Sequence, residues 1–186
     1  LAGRAYLRRS ILPKRTVVAT VMSNIGLEKA LAADGLSLLR TPVGDRHVYL
    51  ALCEQGHPFG GEQSGHLIFL DSLPTGDGIL AALRLCDVLE SDELDLAAEA
   101  RIMKRYPQIL RNLRVREKRP LDSLPRVVES IASAEGRLGE NGRVLVRYSG
   151  TEPLLRIMIE GPDETSVHEL ADSIARAVAN DLDVLP

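Results

Sequence analysis

The chain has no tryptophan, two phenylalanines and four tyrosines in 186 residues. Its core must therefore be aliphatic, and it lacks the aromatic platforms on which nucleic-acid bases stack. It holds two cysteines, Cys53 and Cys86, too few for a disulfide-stapled scaffold. Each falls in an apolar helical pattern, and neither lies near a His and carboxylate pattern that would suggest a nucleophile. Both are expected to be buried, reduced thiols of a cytoplasmic protein. The net charge of −3 offers no global field for nucleic acid. No apolar run approaches bilayer length, and no secretory signal is visible. Neither nucleic acid nor membrane is therefore an expected partner.

What is present is a hydrophobic content of 45%, enough for one or two domains with real cores. Leu1 to Arg9 reads as the end of a helix already under way, so the sequence is expected to be a fragment or a processed product.

Strand and helix patterns alternate through the first half. Thr16 to Val21 is a β-branched, buried-strand run. Asn24 is placed to cap a helix bearing Leu27, Ala30 and Leu31, which Gly35 stops. Leu36 to Arg40 reads as a second strand and Gly44 to Gln55 as a helix with Val48 and Leu52 on one face. Gly60 to Gly65 reads as a glycine-rich loop leading into a third strand, Leu67 to Leu70. A further helix opens at Thr75-Gly76-Asp77-Gly78, with Ile79, Ala82, Leu83, Cys86 and Leu89 as its inward stripe. This alternation predicts an α/β three-layer domain with a mostly parallel sheet over residues 1–92.

An acidic stretch (Asp87 to Glu99) then gives way to a basic one (Arg101 to Arg119). A helix from about Glu93 to Met103 is expected inside a linker and hinge spanning 93–106. The basic run reads as a solvated face. Residues 107–186 have a different rhythm: a strand from Ile109 to Val115, an amphipathic helix bearing Leu124, Val127, Val128, Ile131 and Leu138, and two adjacent strands. A last helix, capped by Asp163, carries Val167, Leu170, Ala171, Ile174 and Val178. This order predicts an α+β two-layer domain, an antiparallel sheet with helices on one face.

Three loops carry candidate chemistry. Arg147-Tyr148-Ser149-Gly150-Thr151-Glu152-Pro153, with Arg156 beyond it, gathers two guanidiniums, two hydroxyls and a glycine around one turn. Guanidinium forks, hydroxyls and open backbone amides are what a phosphate monoester needs. The same residues also make an ordinary hairpin turn. Gly60 to His66 offers Glu62 and Ser64 as partners for vicinal sugar hydroxyls and His66 as a tunable donor or acceptor. It equally fits a plain glycine-rich surface loop. Gly44-Asp45-Arg46 opens a helix whose N-terminus attracts anions, although Asp45 could itself satisfy that field as a cap. Asp77 carries the same ambiguity, and capping is favoured there.

The chain resembles the C-terminal part of the bacterial phosphoglucosamine mutase family, within the α-D-phosphohexomutase superfamily. The resemblance rests on an ordered set: Val17 to Asn24, Val43-Gly44-Asp45-Arg46, Gly61 to His66, Thr75 to Gly78 and Ser149 to Pro153. It covers nearly the whole chain and implies the third and fourth of four domains around one cleft. The third would recognise the sugar through Glu62, Ser64 and His66, with Gly44, Asp45 and Arg46 lining an adjoining specificity loop. The fourth would hold the non-reacting phosphate through Arg147, Ser149, Gly150, Thr151 and Arg156. Tyr148 stands where the family usually has proline, which leaves the donors in place but alters the loop.

The resemblance further implies a phosphoserine that makes a bisphosphate intermediate from a hexosamine phosphate. It implies Mg²⁺ on an Asp-rich loop of another domain. No catalytic serine context and no set of metal ligands is found in this sequence, so partners in missing N-terminal domains of the same polypeptide are expected. The other readings are a phosphomannomutase or phosphoglucomutase of the same superfamily, and a non-catalytic sugar-phosphate-binding module.

Overall fold

The computed structural model describes residues 1–185. The chain divides into two units, Leu1–Arg105 and the residues from Tyr106 onward.

The first unit is a three-layer α/β domain. Helix α1 (Ala2–Arg8) leads into β1 (Thr16–Thr20), α2 (Ile25–Ala33), β2 (Ser37–Thr41) and α3 (Asp45–Gln55). Then come β3 (Phe59–Gly61), β4 (Leu67–Phe69), α4 (Gly78–Ser91) and the short α5 (Leu96–Glu99). The sheet order is β2-β1-β3-β4, with β1 parallel to both β2 and β3, and β4 antiparallel at the edge. Alternation along β1 builds the layers. Val17 joins Tyr6, Leu12, Leu31, Leu36, Phe59 and Phe69 on one face, while Val18 joins Val48, Leu52 and Ile68 on the other. Both phenylalanines stack with Tyr6, with ring centroids 4.9 to 6.2 Å apart. Burial and the neighbouring Asp71 carboxylate push the Tyr6 phenol up to about 12.

The helix caps follow local chemistry. The Asn24 side chain accepts the Gly26 amide at 3.0 Å, and Asp77 accepts that of Leu80 at 2.7 Å. Gly56 ends α3 in the left-handed conformation, φ 70°.

Four expectations fail here. The glycine-rich segment is not all loop: Phe59-Gly60-Gly61 is a buried strand inserted between β1 and β4. Glycine is what admits it. A Cβ on Gly60 would lie 2.8 Å from the Val18 carbonyl oxygen and 3.0 Å from Val48 Cγ1. The inward stripe of α4 is also different. Leu80 and Ala81 pack on the core and Val88 is buried, whereas Ile79 and Leu83 are 77% and 64% exposed. Helix α4 is apolar on most of its circumference, and such a pattern does not say which side turns in. Both cysteines are exposed, not buried. Cys86 rides the outward side of α4, and Cys53 is one residue past Leu52, off the Val48–Leu52 stripe that faces the sheet. The linker helix is also shorter than expected, α5 covering Leu96–Glu99 alone.

The second unit is an α+β sandwich: β5 (Gln108–Arg114), α6 (Pro125–Leu138), β6 (Arg143–Tyr148), β7 (Leu154–Glu160) and α7 (Glu164–Asp181). Its antiparallel sheet runs β5-β7-β6. Leu155, Ile157 and Ile159 turn one face of β7 onto Val127, Ala134 and Leu138 of α6 and Val167, Leu170, Ala171, Ile174 and Val178 of α7. The start of α6 has no cap of its own. Asp181, from the end of α7, accepts the amide of Arg126 at 2.9 Å and that of Val127 at 3.3 Å. Asp163 caps α7 through the Ser166 amide at 2.8 Å.

Buried charge is matched within the sheet. The wholly buried Glu160 carboxylate accepts from Arg143 Nε at 3.0 Å and Gln108 Nε2 at 2.8 Å.

Candidate functional site

Strands β1, β2 and β3 are parallel, so their C-terminal ends lie along one edge of the sheet. The chain leaves β1 for β2 on one side and returns past it to β3 on the other. Such a switch point opens a crevice at the carboxyl ends of the strands, where open α/β sheets bind ligands. Gly44, Asp45 and Arg46 follow β2, and Glu62 to His66 follow β3. The structure joins these segments. Glu62 Oε1 accepts the Gly44 amide at 2.9 Å. Gly44, at φ 125°, holds a backbone conformation suited to glycine as it opens α3.

The Glu62 loop is closed on itself: the Glu62 amide donates to the His66 carbonyl at 2.8 Å, and the Gly65 amide to the Glu62 carbonyl at 3.1 Å. Gly65 takes φ 93° at that turn. The His66 ring lies over Gly76, where a Cβ would come within 2.2 Å of His66 Cδ2. Three segments far apart in sequence thus meet at one end of the sheet. Glu62 is half-buried, while Ser64, His66, Asp45 and Arg46 are exposed. A carboxylate with one oxygen bonded to a backbone amide keeps a second oxygen that can accept from an alcohol. Asp45 accepts the neighbouring Arg46 amide at 2.7 Å, but it is the first residue of α3 and the helix start carries no side-chain cap, so the expected capping role is not met.

In the second unit the β6–β7 hairpin places Arg147 directly opposite Arg156. By strand alternation both leave the face away from the helices, because Leu155 and Ile157 turn toward them. Like charges facing each other across a sheet repel. Arg147 has no ion-pair or hydrogen-bond partner among the described residues. Arg156 Nη2 donates to Glu152 at 2.5 Å.

The hairpin tip is tied by the Ser149 amide to the Leu154 carbonyl at 2.9 Å. Ser149 Oγ donates to the same Glu152 carboxylate oxygen at 3.4 Å. A protein carboxylate thus occupies two of the donors at this turn. Lys118, missed in the sequence, touches this tip: its Nζ donates to the Ser149 carbonyl at 2.6 Å. The contact spans 31 residues and has no local signature. Among the described residues no group of three His, Cys, Asp or Glu side chains could hold a metal ion. No helix among them is long and apolar enough to cross a membrane.

A mixed α/β unit with loops at its strand ends, followed by an antiparallel α+β unit, is a fold that this chain shares with solved members of the α-D-phosphohexomutase superfamily. A solved N-acetylglucosamine-phosphate mutase of that superfamily superposes with TM-score 0.72 at 20% identity, over 95% of this chain and 42% of that one. An Aspergillus fumigatus N-acetylphosphoglucosamine mutase gives TM-score 0.75 at 21% identity, over 97% of this chain and 41% of that one.

Residues 1–106 match the family described as phosphoglucomutase/phosphomannomutase, alpha/beta/alpha domain III, and residues 110–177 match its C-terminal domain. The chain belongs to the phosphoglucomutase/phosphomannomutase family. It is 53% identical to a phosphoglucosamine mutase of Anaeromyxobacter dehalogenans over 94% of its length. It is 47% identical to one of Sorangium cellulosum over 98%. It spans 38% of the length of each of these two relatives.

Proposed function

We propose that this chain is the sugar- and phosphate-binding part of a phosphoglucosamine mutase, which interconverts glucosamine 6-phosphate and glucosamine 1-phosphate. The observation that carries the reading is the facing pair Arg147 and Arg156 at a hairpin tip rich in donors. It is supported by the identity to relatives named phosphoglucosamine mutase and by the Glu62–Gly44 contact at the strand ends of the other unit.

On this reading Glu62 and Ser64 accept and donate to ring hydroxyls, with His66 beside them, and Gly44, Asp45 and Arg46 border the amino-sugar position. Arg147, Ser149, Gly150, Thr151 and Arg156 hold the phosphate that does not react. Phosphoryl transfer needs mainly positioning and charge stabilisation. On the same reading a phosphoserine would donate the phosphoryl group and Mg²⁺ would neutralise its charge, both supplied by other domains of such an enzyme. When the bisphosphate intermediate turns end for end, the anchor meets the other phosphate. Arginines and hydroxyls serve either end, because they recognise the oxyanion and not the sugar.

The test is a titration of the chain with glucosamine 6-phosphate, followed by backbone amide NMR. Shifts at both Glu62–His66 and Ser149–Thr151, larger than with glucose or mannose 6-phosphate, are expected. Equal response to all three sugars points to a phosphomannomutase or phosphoglucomutase instead, and no response at Ser149–Thr151 removes the phosphate anchor.

A further inference from the structure

Three cations leave the segment after β5, and the fold sends them to different places. Arg116 Nε pairs with Asp183 at 2.7 Å. Arg119 Nη1 donates to the Asp181 carbonyl at 3.2 Å, at the end of α7. Lys118 alone of the three reaches the hairpin tip, at the Ser149 carbonyl. The same segment grips the far end of the tip, where the Val115 amide donates to the Pro153 carbonyl at 2.9 Å. Lys118 has no ion-pair partner among the described residues.

A trans peptide is planar, with its C=O and N–H pointing opposite ways. Pinning the Ser149 carbonyl toward Lys118 therefore turns the Gly150 N–H to the other side. That N–H has no acceptor among the described residues. An ammonium on the carbonyl also polarises the amide and strengthens its N–H as a donor. Glycine at position 150 has no side chain to hold the peptide plane by packing, and a Cβ there would meet nothing within 4 Å. The plane is therefore set from outside the loop.

We propose that Lys118 is a positioning residue of the phosphate anchor: it fixes the Ser149–Gly150 peptide so that the Gly150 amide points at the bound phosphate. This rests on the reading of the hairpin tip as a phosphate site and adds to it a residue 31 positions upstream.

The test is a titration of the chain with inorganic phosphate, read by the Gly150 and Thr151 amide resonances, for the wild type, Lys118→Met, Lys118→Arg and Arg147→Ala. Lys118→Met should abolish the downfield shift of the Gly150 amide and weaken phosphate binding about tenfold, the smaller loss expected for one charged hydrogen bond. Lys118→Arg should restore both, and the α6 and α7 resonances should not move. A Lys118→Met protein that binds phosphate as the wild type does, with the Gly150 shift intact, overturns the proposal. If Arg147→Ala abolishes binding in that same series, the phosphate reading stands without Lys118. A wild type whose Gly150 and Thr151 amides ignore phosphate overturns both. Should Lys118→Met disturb the helices, Lys118→Leu, which likewise cannot donate to the Ser149 carbonyl, gives the same readout. Retained binding and an intact Gly150 shift in that variant would sink the proposal equally.

Discussion

Glu62 Oε1 accepts the amide of Gly44 at 2.9 Å, so one carboxylate spans the segments that follow β2 and β3. Glu62→Gln keeps an acceptor for Gly44 but loses the charge, whereas Glu62→Ala loses both. In a full-length enzyme, Glu62→Ala should lower kcat/KM ten- to roughly hundredfold, since a hydrogen bond to a charged group contributes about 1.5–3 kcal/mol. Glu62→Gln should fall between the wild type and Glu62→Ala. Steady-state kinetics on glucosamine 6-phosphate check the order, and equal rates for all three proteins would remove Glu62 from sugar binding.

Arg147 faces Arg156 and has no hydrogen-bond or ion-pair partner among the described residues. Its removal relieves repulsion and breaks no hydrogen bond or ion pair among them. Arg147→Ala should therefore melt no lower than the wild type in phosphate-free buffer. The wild type should gain stability with added phosphate as RT ln(1 + [L]/Kd), and the variant should not. Thermal melts with and without phosphate decide the matter. A variant that loses stability without phosphate would mean that Arg147 serves the fold.

His57 is 2% exposed, and its Nδ1 finds no partner. Burial, and then the charge of Lys14, hold its pKa below the ordinary imidazole value. The unfolded chain protonates near pH 6.5, while the folded chain resists. The unfolded state thus binds more protons below that pH, and stability falls as pH drops from about 6.5. His57→Leu should flatten this slope. Urea midpoints from pH 7 down to pH 5 test it, and parallel slopes for the two proteins would show that other groups govern the acid limb.

Gly60 and Gly136 are opposite cases. A Cβ at Gly60 strikes the Val18 carbonyl, whereas one at Gly136, within α6, meets nothing within 4 Å. Gly60→Ala should lose about 1–3 kcal/mol by overpacking. Gly136→Ala should gain roughly 0.5–1 kcal/mol by helix propensity. Denaturant titrations of each variant read both signs.

The chain by itself should show no mutase turnover. On the proposed reading the assigned residues bind and orient, and none of them is a phosphoryl donor. A coupled assay for glucosamine 1-phosphate, run with a bisphosphate activator, should stay at background. Conversion above background would place the donor within these 186 residues.

The order of strands and helices could be read from apolar periodicity because most elements bury one clean face. Helix α7 shows this best, its five-residue stripe being buried throughout. Strand β3 could not, because its two glycines carry no hydrophobic signal; their role is to let backbones approach. The orientation of α4 failed for the opposite reason, an excess of apolar residues. The loop residues were legible as donor and acceptor chemistry. Their partners were not: Glu62 with Gly44, Lys118 with Ser149 and His66 with Gly76 are tertiary facts with no local spacing. Glu152 was likewise unforeseen as the carboxylate that occupies Arg156.

The outward side of α4 carries Ile79, Leu83 and the free thiol of Cys86. That thiol is a ready-made reporter. A maleimide dye should label it, as it should the exposed Cys53 of α3, and any larger protein that lays another surface over α4 would shield Cys86, so the labelling rate of Cys86 relative to Cys53 becomes a gauge of assembly that requires no engineered probe.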